Sequence, residues 1–333
     1  MKKILLLLLV MISVSELQAK VLTVSNRAGA SAQYQTVPAA IAAAAAGDTI
    51  YIHGSETNYG AITLDKKLTI IGTGHKPKKE LALISELTSV TIGVQNAAAS
   101  GSALIGLKLS SVSTSNYGQK DIVIRRCYIS NIVANGTTGG ICTNWIIENN
   151  IFSSLQTSSN RTNVYNFLIR NNIITSYLYY TNACVINNNI FLGSQSPSFS
   201  DVHYAIIQNN VFYGRSPQGA NNSTLNNNIS FNSTETAMPY GTNSGSNNKV
   251  NVDPKFITYS GGTFNYEHNY NLQASSPGKA AGTDGTDIGI YGGMGFSETG
   301  EPPIPMVRAF SIQNGVVAPN GKLNVIIKAE AKN

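Results

Sequence analysis

The sequence predicts an all-β chain: a parallel β-helix solenoid with a helical cap at its N-terminal end and a short β appendage after its C-terminal end. Three observations carry that reading. An Asn-rich segment recurs about every twenty residues, an Ala-rich run precedes the first strand-like segments, and a Pro-rich break precedes the last ones.

The repeat aligns on the aliphatic residue ahead of the asparagines: Ile124-Arg-Arg-Cys-Tyr, Ile147-Glu-Asn-Asn-Ile-Phe, Ile169-Arg-Asn-Asn-Ile-Ile, Ile186-Asn-Asn-Asn-Ile-Phe, Ile207-Gln-Asn-Asn-Val-Phe and Leu225-Asn-Asn-Asn-Ile-Ser. The leading positions lie 23, 22, 17, 21 and 18 residues apart. A fixed core with variable spacing near twenty marks a solenoid. Leucine-rich repeats need Leu at several fixed positions, and helical repeats need apolar residues three and four apart. Short β-branched runs broken by Asn and Gly instead fit coils of three short strands stacked about 4.8 Å apart, so six to nine coils make a rod of roughly 30 to 45 Å.

Asn is among the few non-glycine residues tolerated in the left-handed conformation that a tight bend requires. When the bend recurs in every coil, the amides stack and hydrogen-bond along the rod. Asn149/Asn150, Asn171/Asn172, Asn188/Asn189, Asn209/Asn210 and Asn227/Asn228 are expected to form such a ladder, with a structural role. The flanking aliphatics, such as Ile186 and Ile190, are expected to face inward, with Phe152, Phe191 and Phe212 stacked beside them. Cys127 takes an Asn slot in the first aligned coil.

Both ends of a rod need covering. Val37 to Ala46 is a strong helix former with Pro38 near its start and Gly47 after it, and reads as a lid on the first coil. At the other end, Glu301-Pro-Pro-Ile-Pro305 reads as a stiff linker. It leads to two strand-like runs, Val307 to Ile312 and Leu323 to Ala329, around a Pro319-Asn320-Gly321 turn. So short a segment holds little core alone. It is expected to pack back on the rod, with attachment to another surface as the alternative.

The 333 residues are 42% hydrophobic and 12% charged, which excludes a disordered chain. Lys2 and Lys3, the apolar run Ile4 to Val10 and the polar stretch ending at Ala19 have the layout of a signal peptide, with cleavage expected after Ala19. The product would be secreted, periplasmic or at the cell surface. No Cys near that point suggests a lipid anchor, and no later apolar stretch reaches the roughly 18 residues needed to span a bilayer. Cleavage removes Lys2, Lys3 and Glu16, taking the formal charge from +6 to +5. A mildly basic exported chain suits acidic partners such as uronate polysaccharides. Scattered Lys and Arg argue against nucleic acid. Cys127, Cys142 and Cys184 allow one bridge at most, show no metal-ligand spacing, and are expected to be buried small apolar residues.

Residues 36–74, with the capping helix, "GDTIYI" and "LTIIGTG", resemble the opening of right-handed parallel β-helix proteins of the pectate-lyase-like superfamily. "VDPKF" (252–256) and "YNLQASSPGKAAGTDGTDIGIYGG" (270–293) resemble the closing segment of exported bacterial members. The resemblance covers about 21–296. It implies a β-helix domain over 20–296, after a signal peptide over 1–19 and before a linker and hairpin over 297–333.

That superfamily holds lyases, hydrolases and proteins without catalysis, so chemistry must come from the residues. A lyase needs a base and a group to neutralise the uronate carboxylate. A hydrolase needs two carboxylic acids about 5 to 9.5 Å apart. Between residues 100 and 250 the acids are Asp121, Glu148, Asp201 and Glu235, and no two share an aligned slot on adjacent coils. This disfavours the calcium-dependent lyase and the hydrolase, and leaves a metal-free lyase open.

Arg125, Glu148, Arg170, Asn187, Gln208 and Asn226 share one slot and should form an outward column. Read plainly, it is a ladder of opposite charges, each pair contributing roughly a few tenths of a kcal/mol. The catalytic candidates are Arg125, Arg170, Arg215 and His203, with Arg126 and Arg161 as further cations. Tyr177, Tyr179, Tyr180, Tyr204 and Tyr213 are the candidate saccharide platform. Asp284 and Asp287 read as turn and cap residues rather than calcium ligands, and the Gly-rich pieces lack the Lys-Ser/Thr sequel of a phosphate cradle. The expectation is a monomeric exported β-helix that needs no metal or other cofactor and binds polysaccharide along one face, with lyase-type activity left open. The alternative is a non-catalytic surface scaffold or adhesin.

Overall fold

The structure, a computed structural model, describes residues 19–76, 83–115, 117–136, 140–157, 164–194 and 196–330. The signal-peptide reading falls almost wholly outside them. Ten short strands stack in parallel to form the first sheet: Val21–Val24, Thr49–Ile52, Thr69–Ile71, Ala103–Ile105, Val123–Arg125, Ile146–Glu148, Leu168–Arg170, Val185–Asn187, Ile206–Gln208 and Thr224–Asn226. The second sheet runs from Ala61–Leu64 through Glu86–Ile92, Lys108–Thr114, Tyr128–Ala134, Ile151–Thr157, Ile173–Ile174, Ile190–Leu192 and Val211–Tyr213 to Ile229–Phe231. The chain alternates between them, and short third-side pairs such as Val202–His203 with Ala220–Asn221 complete the coils. The result is a parallel β-solenoid of about eight turns.

The two asparagines of each repeat do different work. Asn149, Asn171, Asn188, Asn209 and Asn227 hold φ between 52° and 58° and turn the chain from the first sheet to the second. The ladder belongs to the second residue of each pair alone. Asn150, Asn172, Asn189, Asn210 and Asn228 are fully buried. Each Nδ2 donates to the Oδ1 of the next, at 3.1, 2.9, 3.0 and 3.0 Å, and Asn228 continues the row to Asn248 at 2.9 Å. Each Oδ1 also accepts the backbone N–H one coil back, and the Cys127 N–H closes the row on Asn150 at 2.9 Å.

The inward assignment holds for Ile186 and fails for Ile190. Successive strand residues face opposite sides. Because the ladder Asn points inward, Ile151, Ile173, Ile190, Val211 and Ile229 must point out. They are buried all the same, in a second core with Phe256, Tyr270, Leu272, Ile288 and Ile290. The next residue along points into the rod. There Phe191 stacks on Phe212 at 4.8 Å, while Ile174 separates Phe152 from that pair.

The cap is a helix over Val37–Ala43, with Thr36 accepting the Ala39 N–H and Val37 and Ala40 buried. It ends three residues earlier than expected, because the Asp48 carboxylate captures the Ala45 N–H at 2.8 Å and the Lys66 ammonium takes the Ile41 and Ala44 carbonyls.

After the last coil, residues 253–301 run back along the rod, held by the left-handed column. Asn227 donates to the Ala281 carbonyl, Asn209 to the Thr283 hydroxyl, Asn188 to the Asp287 and Gly289 carbonyls, Asn171 to those of Ile290 and Gly292, and Asn149 to that of Gly295. In the first aligned coil Arg126 stands in for Asn: it holds φ 56° and donates to the Glu301 carbonyl at 2.8 Å. Asp284 accepts from Thr286, and Asp287 pairs with Lys279, so both act as turn residues in this strap.

Burial pushes the Cys127 thiol up to about 12 and the Cys184 thiol up to about 11, and all three cysteines are free and buried. An unfolded thiol ionises near pH 8.5. Above that pH the folded state holds protons that the unfolded state has lost, so these thiols make stability fall as pH rises toward 11 and 12. Native protein at pH 8 is expected to resist iodoacetamide, and denatured protein to take up three labels by mass spectrometry; labelling of the native fold would contradict the burial.

Met306–Ile312 and Val325–Glu330 form the antiparallel appendage. They do not pack back on the rod. Val307, Phe310 and Ile327 are 56%, 62% and 60% exposed. Among the described residues no helix is long and apolar enough to cross a membrane.

Candidate functional site

The Arg125/Glu148/Arg170 column is in register as expected. The Glu148 carboxylate is buried between the two guanidiniums, with Arg125 on Oε1 and Arg170 on Oε2 at 2.7 Å. Both cations are thus engaged by one carboxylate, which is the structural role of a closed ion ladder. Arg215 is buried, packs on Gly193 and donates to the Pro197 carbonyl, and its burial lowers the guanidinium pKa. Arg126 is buried in the strap contact, and Arg161 lies outside the described residues. On the third side His203 Nε2 lies 2.9 Å from Asp201 Oδ1. The four catalytic candidates therefore do not come together.

The tyrosines divide three ways. Tyr177, Tyr179 and Tyr180 form a ledge, with ring centroids 4.1 and 5.5 Å apart. Tyr204 is 62% exposed and neighbours His203. Tyr213 is no platform: the strap covers it, and Phe231, Phe256 and Tyr259 enclose its ring at 5.2, 5.8 and 4.9 Å.

A concave site lies instead on the outer face of the second sheet. Two adjoining cavities of about 440 and 330 Å³ share Tyr128 and Phe264. The larger is bounded by Thr175, Leu192, Gly193, Ser194, Gly262 and Thr263, and the smaller by His75, Lys108, Asn265 and Tyr266.

The repeat explains why the site opens here. Glu86, Lys108, Tyr128, Ile151 and Ile173 occupy one outward column. From Ile151 onward the slot is aliphatic and buried beneath the strap. At Lys108 and Tyr128 it becomes amphipathic and only half-buried. Phe264 and Tyr266, from the strap, form the facing wall, each 6.3 Å from the Tyr128 ring. His75 buttresses that wall: it stacks on Tyr266 at 5.7 Å, and its Nδ1 lies 3.0 Å from the phenol oxygen. Burial raises the Tyr266 hydroxyl pKa, which keeps it a neutral hydrogen-bonding group. Lys108 pairs with Glu86 at 3.1 Å at the mouth.

Along the same sheet Ser89, Ser111, Asn131 and Ser154 stand in register. Ser154 donates to Asn131 at 2.8 Å, and Gln156 links Ser154 to Tyr177, so the polar row leads to the tyrosine ledge. Ring faces, hydroxyls, amides and one cation are the groups that grip a sugar chain. Among the described residues the lining of the two cavities holds no carboxylate, and the nearby Glu86 is held by Lys108, so no carboxylate pair of the kind two-carboxylate hydrolysis uses is placed there. Among the described residues no group of three His, Cys, Asp or Glu side chains is placed to hold a metal.

Sequence reasoning missed Tyr128, Lys108, His75, Phe264 and Tyr266. The available signal was that Lys108 and Tyr128 break the aliphatic pattern of their slot. No family model matches the chain, and no curated protein matches it. Fold and cleft together define a parallel β-solenoid with an aromatic-walled cleft on one sheet.

Proposed function

We propose that the chain is an exported right-handed β-helix of the pectate-lyase-like superfamily that binds polysaccharide, uronate-containing polymers included, along its second sheet. The observation that carries this reading is the cleft shared by Tyr128 and Phe264, on the sheet that also carries a row of hydroxyls and amides. Binding is favoured over elimination because Arg125 and Arg170 are tied to Glu148 and the cleft's own cation, Lys108, is tied to Glu86.

The test is titration of the protein with a panel of uronate and neutral polysaccharides, reading both heat of binding and unsaturated product. Binding without product is expected. Tyr128→Ala should weaken it about tenfold, the size of one aromatic contact, whereas Arg125→Gln and Arg170→Gln should leave affinity unchanged. Product formation would make the chain a lyase. No binding to any polymer would leave the scaffold reading, and unchanged affinity in Tyr128→Ala would remove this cleft from the account.

A further inference from the structure

The appended hairpin has one face whose described side chains are all apolar. The cross-strand pairs Val307/Ala329, Phe310/Ile327 and Ile312/Val325 share a side, because the irregularity between Val307 and Ala309 keeps Val307 in phase with Phe310. The other side carries Ser311/Ile326 and Ala309/Lys328. The apolar face is open to solvent: Val307, Phe310, Ile312, Val325 and Ile327 are 56%, 62%, 53%, 38% and 60% exposed. A two-stranded ribbon is marginal by itself and needs one face packed.

The face stays exposed in this structure, and that packing is not supplied by the rod of the same chain. Glu301 and Pro302 are buried in it, and only Pro303-Ile304-Pro305 lead to the first strand, a stretch that two prolines stiffen. A gap of about 460 Å³ separates Ile304, Pro305 and Val307 from Val21, Tyr51 and Ile71 of the first sheet.

We propose that the occupant is a second copy, the two hairpins packing apolar face to apolar face about a twofold axis as a four-stranded, two-layer sandwich. The face suits self-apposition because its described cross-strand pairs are all uncharged, and Lys328 points from the opposite side. Taking roughly 150–200 Å² for a fully exposed aliphatic or aromatic residue, each face offers about 500 Å² and the pair removes about 1,000 Å². That is the lower bound of a specific interface, so the dimer is a weak one, with a dissociation constant on the order of micromolar.

Sedimentation equilibrium of the full chain across a concentration series tests this. A monomer–dimer equilibrium is expected. Phe310→Lys and Ile327→Lys should each raise the dissociation constant at least ~30-fold by burying a charge in the contact. Ser311→Lys, on the opposite side, should leave it unchanged. Circular dichroism melts check that each variant keeps the rod. A chain that stays monomeric at every concentration, a dimer that survives Phe310→Lys, equal disruption by Ser311→Lys, or assembly beyond dimers would each overturn the proposal.

Discussion

Asn189→Leu is expected to destabilise the chain by about 4 kcal/mol. Asn189 is fully buried, and its Oδ1 accepts both the Asn172 backbone N–H at 3.0 Å and the Asn172 amide at 2.9 Å. Its own amide serves the Ile169 and Asn187 carbonyls and Asn210 Oδ1. Leu fills the volume but leaves the Asn172 N–H without that acceptor and strips a donor from two carbonyls. Each group left unpaired at depth costs about 1–3 kcal/mol, more than the apolar gain returns in a site walled by polar groups. Urea titration measures the loss. Asn187→Ala, on the outer face of the same coil, should change stability by less than about 0.5 kcal/mol. Equal effects would show that the ladder carries no special load.

Asn171→Ala is expected to cost about 3 kcal/mol, and to act first on the strap. Two causes add. Its φ of 52° costs a β-carbon residue about 1–2 kcal/mol without the local hydrogen bonding that favours Asn. Its amide also gives up bonds of 2.8 Å to both the Ile290 and Gly292 carbonyls. Asn171→Gly separates the two, since Gly accepts the backbone but not the bonding, and should cost about 1 kcal/mol less. Hydrogen exchange resolves the location: amides of 288–297 should exchange faster while those of the coils stay protected. Uniform acceleration across the rod would mean that strap and coils unfold as one unit.

Much of the solenoid was legible because every coil meets the same steric demand at the same corner and answers it with the same residue type. The division of labour between the paired asparagines was hidden because both slots hold Asn. The first aligned coil contained the clue: Arg126 is long enough to reach the strap, and Cys127 is small enough for the buried row. Reading Ile190 as inward followed from treating both asparagines as bend residues. Once one of them points in, alternation forces its successor out. The cleft was beyond sequence reasoning because its walls join Tyr128 to Phe264 and Tyr266, and the strap that carries the latter has no periodicity to align. Tyr213 was misread for the same reason, since only the path of the strap shows that it is covered.

The most direct test of the account is an experimental electron-density map of the coils. The side-chain amides of Asn150, Asn172, Asn189, Asn210 and Asn228 are expected in a single buried row, about 4.8 Å from one to the next, with Asn149, Asn171 and Asn188 turned outward onto the returning chain. Amides of the first group dispersed over the surface, or both members of each pair facing the interior, would contradict it.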